Sequence, residues 1–237
     1  MENYRLSIII PAYNEGKRIP LFLRELIEFS LKNLSNFEIL IVNDGSTDNT
    51  KKVTRNIIKN YENIKIISYK ENKGKGHAVL QGVINATGDF ILFIDADGST
   101  PPNEILNMFN LFKKYKFDVI IGSRRLDKSN IIYSQPFVRR FISHVFNFYS
   151  NLLFRLNIKD LLCGFKGFER NVAIQIFKDL KSYRWEFDVE ILYRIKREGF
   201  KIFQLPIKWK HKEGSKIKPF DPILIFLNIL KLRLKYI

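Results

Sequence analysis

The sequence predicts an α/β protein built on a doubly wound, mostly parallel sheet. Three observations carry this. Short β-branched runs alternate with longer amphipathic stretches through the first half of the chain. The short runs are nearly continuous in apolar residues, as strands buried on both faces are. Polar turns rich in Asp, Asn and Gly follow the first, second and fourth of them, and ligands in such sheets bind beyond the carboxyl ends of the strands.

Taken in order, Leu6–Ile10, Phe37–Val42, Ile64–Ser68, Phe90–Ile94 and Phe117–Ile121 read as strands. Between them Glu15–Leu31, Asp48–Asn60, Gly76–Ala86 and Pro101–Tyr115 read as helices, with Thr100-Pro101 as a cap and first-turn proline for the last. The second half is less regular. Pro136–Leu156 predicts one or two helices, Gly164–Phe168 a strand, Glu186–Glu198 a helix, Phe200–Leu205 a final strand and Phe220–Ile237 a terminal helix. No internal repeat or low-complexity linker interrupts the chain.

A length of 237 residues fits one α/β domain with a tail, and 46% hydrophobic residues suffice for a real core. The net charge of +16 implies an anionic partner: nucleic acid, anionic lipid or a phosphorylated substrate. Half of that excess lies in residues 171–237, with 15 Lys and Arg against 7 Asp and Glu. Cys163 is the only cysteine, which excludes an intrachain disulfide and a cysteine zinc cluster and fits a reducing compartment. No stretch approaches the roughly 20 apolar residues of a membrane span, so membrane contact is expected to be peripheral.

Three clusters share the ligand edge of the predicted sheet: Pro11-Ala12-Tyr13-Asn14-Glu15, Asn43-Asp44-Gly45-Ser46-Thr47-Asp48 and Asp95-Ala96-Asp97-Gly98. Each alone suits an ordinary turn. Together they suit a nucleotide-sugar donor. The carboxylates of Asp95 and Asp97, separated by one residue at a strand end, can serve Mg²⁺ or Mn²⁺ with phosphate oxygens completing the shell. Asp44 can accept a hydrogen bond from the imide N–H of uracil or guanine. Lys73-Gly74-Lys75-Gly76 opens a helix, where glycine permits close backbone approach and the helix end favours anions. It lacks the Gly-Lys-Ser/Thr ending of a P-loop.

These residues, with Gly122-Ser123-Arg124, resemble the family 2 inverting glycosyltransferases of the GT-A fold over nearly the whole chain. Cys163-Gly164-Phe165-Lys166-Gly167-Phe168, Trp185-Glu186-Phe187-Asp188-Val189-Glu190 and His211-Lys212-Glu213-Gly214-Ser215-Lys216 narrow the similarity to dolichyl-phosphate β-glucosyltransferases and the related mannose synthases. The resemblance implies a GT-A domain over residues 1–218 and a C-terminal amphipathic helix over 219–237. It implies Asp44 on the nucleobase, Asp95 near ribose and metal, and Asp97 on the metal. Pro11, Tyr13, Glu15, Lys75 and Arg124 join the nucleotide-sugar site. Arg124, Arg139 and Ser143 match positions that hold diphosphate or acceptor phosphate, and Lys216 and Arg140 add positive charge. Asp160 matches an acidic residue near the reacting centre. Ser99 stands where mannose synthases carry a metal-ligating Gln. The Gln-x-x-Arg-Trp motif of processive relatives is missing, with Tyr183-Arg184-Trp185 a partial echo.

The implied reaction is metal-dependent transfer of a hexose, from UDP-glucose in preference to GDP-mannose, to a polyprenyl phosphate with inversion. A phosphomonoester has a second pKa of roughly 6 and is largely dianionic at neutral pH, so it needs positioning more than deprotonation. Asp160, Asp188 and Glu190 are then expected to shape and orient the catalytic site. Phe137–Leu156 and Pro222–Ile237, apolar with basic residues, are expected to lie on a membrane surface at its cytoplasmic face. A sugar-1-phosphate nucleotidyltransferase would need a glycine-rich first loop, and Pro11–Glu15 has no glycine. A nucleic-acid partner would need a binding motif or stacking platform, and neither is found. The sequence sets no oligomeric state.

Overall fold

A computed structural model describes residues 4–133, 137–184, 186–212 and 221–236. The strands are β1 (Leu6–Ala12), β2 (Phe37–Asp44), β3 (Ile64–Tyr69), β4 (Phe90–Ile94), β5 (Val119–Ser123), β6 (Asn130–Tyr133), β7 (Phe165–Glu169), β8 (Ile202–Pro206) and β9 (Lys208–Lys210). The helices are α1 (Ile19–Asn33), α2 (Thr50–Ile58), α3 (Lys75–Asn85), α4 (Asn103–Lys114), α5 (Phe137–Phe154), α6 (Arg170–Phe177), α7 (Phe187–Arg197) and α8 (Asp221–Leu234).

Seven strands form one sheet in the order β3-β2-β1-β4-β7-β5-β8, and β6 pairs with β9 beside it. The predicted α/β class is the observed one. All pairs in the large sheet are parallel except those of β7, which runs antiparallel to both β4 and β5. The carboxyl ends of β1, β2, β4 and β5 therefore share one edge, and β7 brings its amino end to that edge.

The strand runs owe their near-continuous apolarity to burial on both faces. Every residue of β1, β2, β4 and β5 is buried. Alternate residues serve different cores because successive side chains point to opposite faces. Ile8 and Ile10 join Phe22, Leu23 and Leu26 of α1 and Ile105 and Met108 of α4, while Ile9 packs with Val79 and Val83 of α3 and Leu192 of α7. Strand β3 lies at the sheet edge and is half-covered, so its alternation is looser.

The structure adds what the pattern missed. Helix α6 and strands β6 and β9 were not expected; the strands are only 4 and 3 residues long, too short to show a period. Pro136–Leu156 is one helix from Phe137. Helix α4 starts at Asn103, later than the Thr100-Pro101 cap implied, and the Pro101 and Pro102 carbonyls accept from the Glu104 and Ile105 amides. Helix α8 buries Ile229 and Leu232 in the same core as α3 and α7, so it packs onto the domain.

Candidate active site

Asn14 joins the first two turns. With φ 51° it turns the chain after β1, a conformation Asn tolerates. Its amide nitrogen donates to Ser46 Oγ at 2.9 Å, and its Oδ1 accepts from the Thr47 amide at 2.8 Å. Asp48 accepts from the Gly16 amide at 3.0 Å. Glu15 is buried and takes a two-point contact from Arg18, with Nε 2.7 Å from Oε2 and Nη2 2.6 Å from Oε1. Burial works against the Arg18 charge, but Glu15, Asp97 and Asp95 raise its pKa. Arg18 also lines an open cleft of about 290 Å³ with Lys17, Asp97 and Lys212. Sequence reasoning missed Arg18; its place three residues after Glu15, on the first turn leading into α1, was the available signal. Pro11 lies buried in β1, and Tyr13 is half-buried in the turn that follows.

Asp44 ends β2 at the expected edge. Its Oδ1 accepts from the Lys73 amide at 2.8 Å, and its Oδ2 from the Gly74 amide at 2.9 Å and Asn72 Nδ2 at 2.8 Å. A carboxylate has about four acceptor positions, and the Tyr69 hydroxyl lies close enough to Asp44 for its pKa to be raised by it. The contacts pull the basic loop across the end of β2. Gly74 is required there, because φ is 103° and a Cβ would lie 2.3 Å from the Tyr183 carbonyl oxygen. Lys75 is thereby set at the start of α3.

Asp95 and Asp97 follow β4. Lys75 Nζ lies 2.6 Å from Asp95 Oδ1. Burial and the neighbouring Asp95 raise the Asp97 pKa, against the Ser99 contacts and Arg18, which lower it. The Ser99 amide donates to Asp97 Oδ1 at 2.9 Å. Strand β7 supplies the wall. Its register sets Ile94 opposite Phe165, which seats Gly164 against the Asp95 carboxylate. A Cβ on Gly164 would lie 2.0 Å from Asp95 Oδ2. Lys166 is fully buried and donates to Asp188 Oδ1 at 2.6 Å and to the Leu161 and Cys163 carbonyls at 3.0 and 2.6 Å. Its burial follows from the insertion of β7 between β4 and β5.

Asp160 and Arg124 meet at the end of β5. Asp160 Oδ2 accepts from the Arg124 amide at 2.9 Å and from Nε at 2.7 Å, and Oδ1 accepts from Nη2 at 2.8 Å. Burial pushes the Asp160 pKa up, but Arg124 prevails and holds it down at about 2. Trp209 of β9 covers the guanidinium at 5.3 Å. Ser143 on α5 accepts from Arg125 Nη2 at 2.7 Å, so Arg125 joins the expected cluster unforeseen.

Other expected residues fall elsewhere. Glu190 was expected with Asp188, but it turns away from the acidic edge. Two residues apart on a helix, the side chains point about 200° apart. Glu190 Oε1 instead accepts from the Lys181 amide and from the Tyr236 hydroxyl, both at 2.7 Å. It anchors the end of the α8 segment. Arg139 is on α5, but its side chain lies outside the described residues, as do Lys216 and Trp185.

Helix α5 exposes Phe141, Val145, Phe148 and Leu152, and α8 exposes Leu227, Leu230 and Leu234. Spacings of three and four make each set a stripe along its helix. The two helices pack through Phe226, whose ring lies 5.2 Å from that of Tyr149 and 6.0 Å from that of Phe146. Among the described residues no helix is long and apolar enough to cross a membrane.

A mostly parallel sheet with an acidic pair after β4 and an anchored basic loop after β3 is the GT-A arrangement of glycosyltransferases. The Mycobacterium tuberculosis glucosyl-3-phosphoglycerate synthase in complex with UDP matches with a TM-score of 0.71 at 16% identity, over 98% of this chain and 79% of that one. The same enzyme with Mn²⁺ and UDP-glucose matches with a TM-score of 0.69 over 97% and 79%. At that identity the likeness shows the fold alone. A family model described as Glycosyl transferase family 2 matches residues 7–177. The dolichyl-phosphate β-glucosyltransferase of Dictyostelium discoideum is 35% identical over 100% of this chain and 76% of its own length. Those of Saccharomyces cerevisiae and Homo sapiens are 34% and 33% identical, over 100% and 98% of this chain. The chain belongs to glycosyltransferase family 2, in the group of these dolichyl-phosphate glucosyltransferases.

Proposed function

We propose that this protein transfers glucose from UDP-glucose to dolichyl phosphate or a similar polyprenyl phosphate, inverting the anomeric carbon. The observation that carries this reading is the 35% identity to a dolichyl-phosphate β-glucosyltransferase across 100% of the chain. The likeness includes the second half, where an acceptor site would lie.

The donor would lie along the edge formed by β1, β2 and β4. The uracil imide would bond to the Asp44 carboxylate at the end of β2, and the basic loop carrying Lys75 would face the diphosphate. Asp95 and Asp97 would hold Mg²⁺ or Mn²⁺. The donor set fits a hard cation: two carboxylates separated by one residue, with Asp97 carrying charge that burial and Asp95 make costly. Among the described residues no group of three His, Cys, Asp or Glu side chains could hold a metal. The remaining ligands would be diphosphate oxygens and water. A bound cation would offset the charge developing on the departing nucleoside diphosphate.

An oxygen of the acceptor phosphate forms the new bond to the anomeric carbon as the bond to the β-phosphate breaks. The acceptor is already ionised, so no protein base need remove a proton. Arg125, Ser143 and Arg139 would hold it, with Arg124 kept rigid by Asp160 beside them. The exposed stripes of α5 and α8 would rest on the membrane surface from which the lipid is drawn. The single buried cysteine fits work at the cytoplasmic face.

The test is incubation of the purified protein with dolichyl phosphate, Mg²⁺ or Mn²⁺, and a panel of labelled sugar nucleotides. A glucosylated lipid formed from UDP-glucose supports the reading. A mannosylated lipid formed from GDP-mannose alone replaces the donor, and no lipid product from any donor overturns the acceptor.

A further inference from the structure

Four charged side chains form an alternating row from the interior to the ligand edge. Lys166 stands at the inner end with all three ammonium protons used, on Leu161, Cys163 and Asp188. Asp188, so fixed, is near enough to reinforce the charge of Lys75. Lys75 closes the row on Asp95 at 2.6 Å. Both ammonium groups sit against Phe93, at 5.8 Å for Lys75 and 5.6 Å for Lys166, and Lys75 also lies 5.9 Å from the Phe187 ring centre.

The two lysines differ in freedom. Lys166 is fully buried and has no proton to spare. Lys75 keeps a quarter of its side chain exposed, on a flexible four-carbon stem, with Asp95 in contact and the Asp188 charge close enough to act on it. One oxygen of Asp95 is therefore already taken by an ammonium group. A divalent cation arriving on Asp95 would meet that positive charge a few ångströms away, where screening by solvent is incomplete. Cation and ammonium compete for the same carboxylate.

We infer that Lys75 keeps the divalent cation off Asp95 until a nucleoside diphosphate arrives, and that Asp188, pinned by Lys166, then holds the displaced lysine within reach of the diphosphate. This rests on the assignment of Asp95 and Asp97 to the cation. The diphosphate both draws the ammonium away and adds oxygen ligands, so cation and nucleotide load together. Lys166 is a positioning residue in this scheme; it acts through Asp188 and touches no substrate.

The experiment measures Mn²⁺ binding to the purified full chain, from the electron paramagnetic resonance signal of free Mn²⁺, with and without UDP and with no sugar transferred. The wild-type protein should bind Mn²⁺ weakly alone and more than about tenfold tighter with UDP. Lys75→Met should bind Mn²⁺ alone about tenfold tighter than wild type, with the UDP effect reduced to match. Lys75→Arg keeps the charge and should stay within about threefold of wild type, with thermal melting confirming that both variants are folded. Binding that requires UDP but is unchanged in Lys75→Met overturns the inference and leaves the cation assignment standing. No Mn²⁺ binding to any of the proteins, even with UDP, overturns both.

Discussion

The Arg124 guanidinium grips the buried Asp160 carboxylate at two points, 2.7 and 2.8 Å, while its own backbone amide adds a third bond at 2.9 Å. One side chain thus ties the end of β5 to the loop before β7, and both segments belong to the ligand edge.

That grip predicts an acid limit to stability. Asp160 titrates at about 2 in the folded protein, below its ordinary value of 3.8. A depressed carboxylate stabilises the fold fully above the unfolded pKa, and the contribution is lost as pH falls from near 4 towards 2. It amounts to about 2 kcal/mol. Asp160→Asn should flatten the fall in melting temperature over that window. At pH 7 it should cost about 3 kcal/mol, because Arg124 is left buried without its counter-charge. An unchanged acid profile would remove the pair from the stability of the fold.

Gly164→Ala should act on Asp95. The added methyl would meet Oδ2 at 2.0 Å, and the neighbouring backbone is fixed in the sheet, so the carboxylate must move. Glucosyl transfer should fall by about 100-fold, since a shift of roughly 1 Å at a reacting site costs that much. Folding, followed by circular dichroism, should change little. Activity near wild type would show that Asp95 need not stay where β7 holds it.

Glu190 should prove structural. Glu190→Ala removes the acceptor of both the Lys181 amide and the Tyr236 hydroxyl and should cost about 2 kcal/mol in chemical denaturation. Tyr236→Phe should cost about 1 kcal/mol. Glu190→Gln keeps an acceptor and should retain turnover within about threefold of wild type. A loss of turnover in Glu190→Gln without loss of stability would restore the catalytic expectation.

The stripe on α5 predicts lipid binding. Phe141→Ser with Phe148→Ser exposes no new core, since the two side chains are already 60% and 71% exposed. Sedimentation with vesicles containing anionic lipid should fall at least about tenfold, since full burial of one such side chain contributes about 1.5–3 kcal/mol. Transfer to a short-chain, water-soluble acceptor phosphate should persist. Unchanged sedimentation would move the membrane contact away from α5.

Local sequence carried the parallel core and the acidic edge. Leu6–Ile10 and Phe90–Ile94 read as strands buried on both faces, because they are short, rich in Ile and Phe, and followed by turn residues. The turns after them then fall on the ligand edge by the geometry of a parallel sheet. Asp44, Asp95 and Asp97 were legible for that reason, as each lies within a few residues of the strand that positions it.

Contacts between distant segments were decided only by the tertiary structure. Gly164 meets Asp95 across 69 positions because β7 enters the sheet antiparallel, between two strands that precede it in the chain. The same insertion buries Lys166, whose charge would otherwise argue for the surface, and sets it on Asp188. Helical rotation sends one carboxylate of Asp188-Val189-Glu190 to Lys166 and the other to Tyr236. The sequence by itself determined which carboxylates lie at the strand ends, since burial of each apolar run is a local demand. Which of them meet a lysine, an arginine or a backbone amide followed from strand order and register, which depend on the whole chain at once.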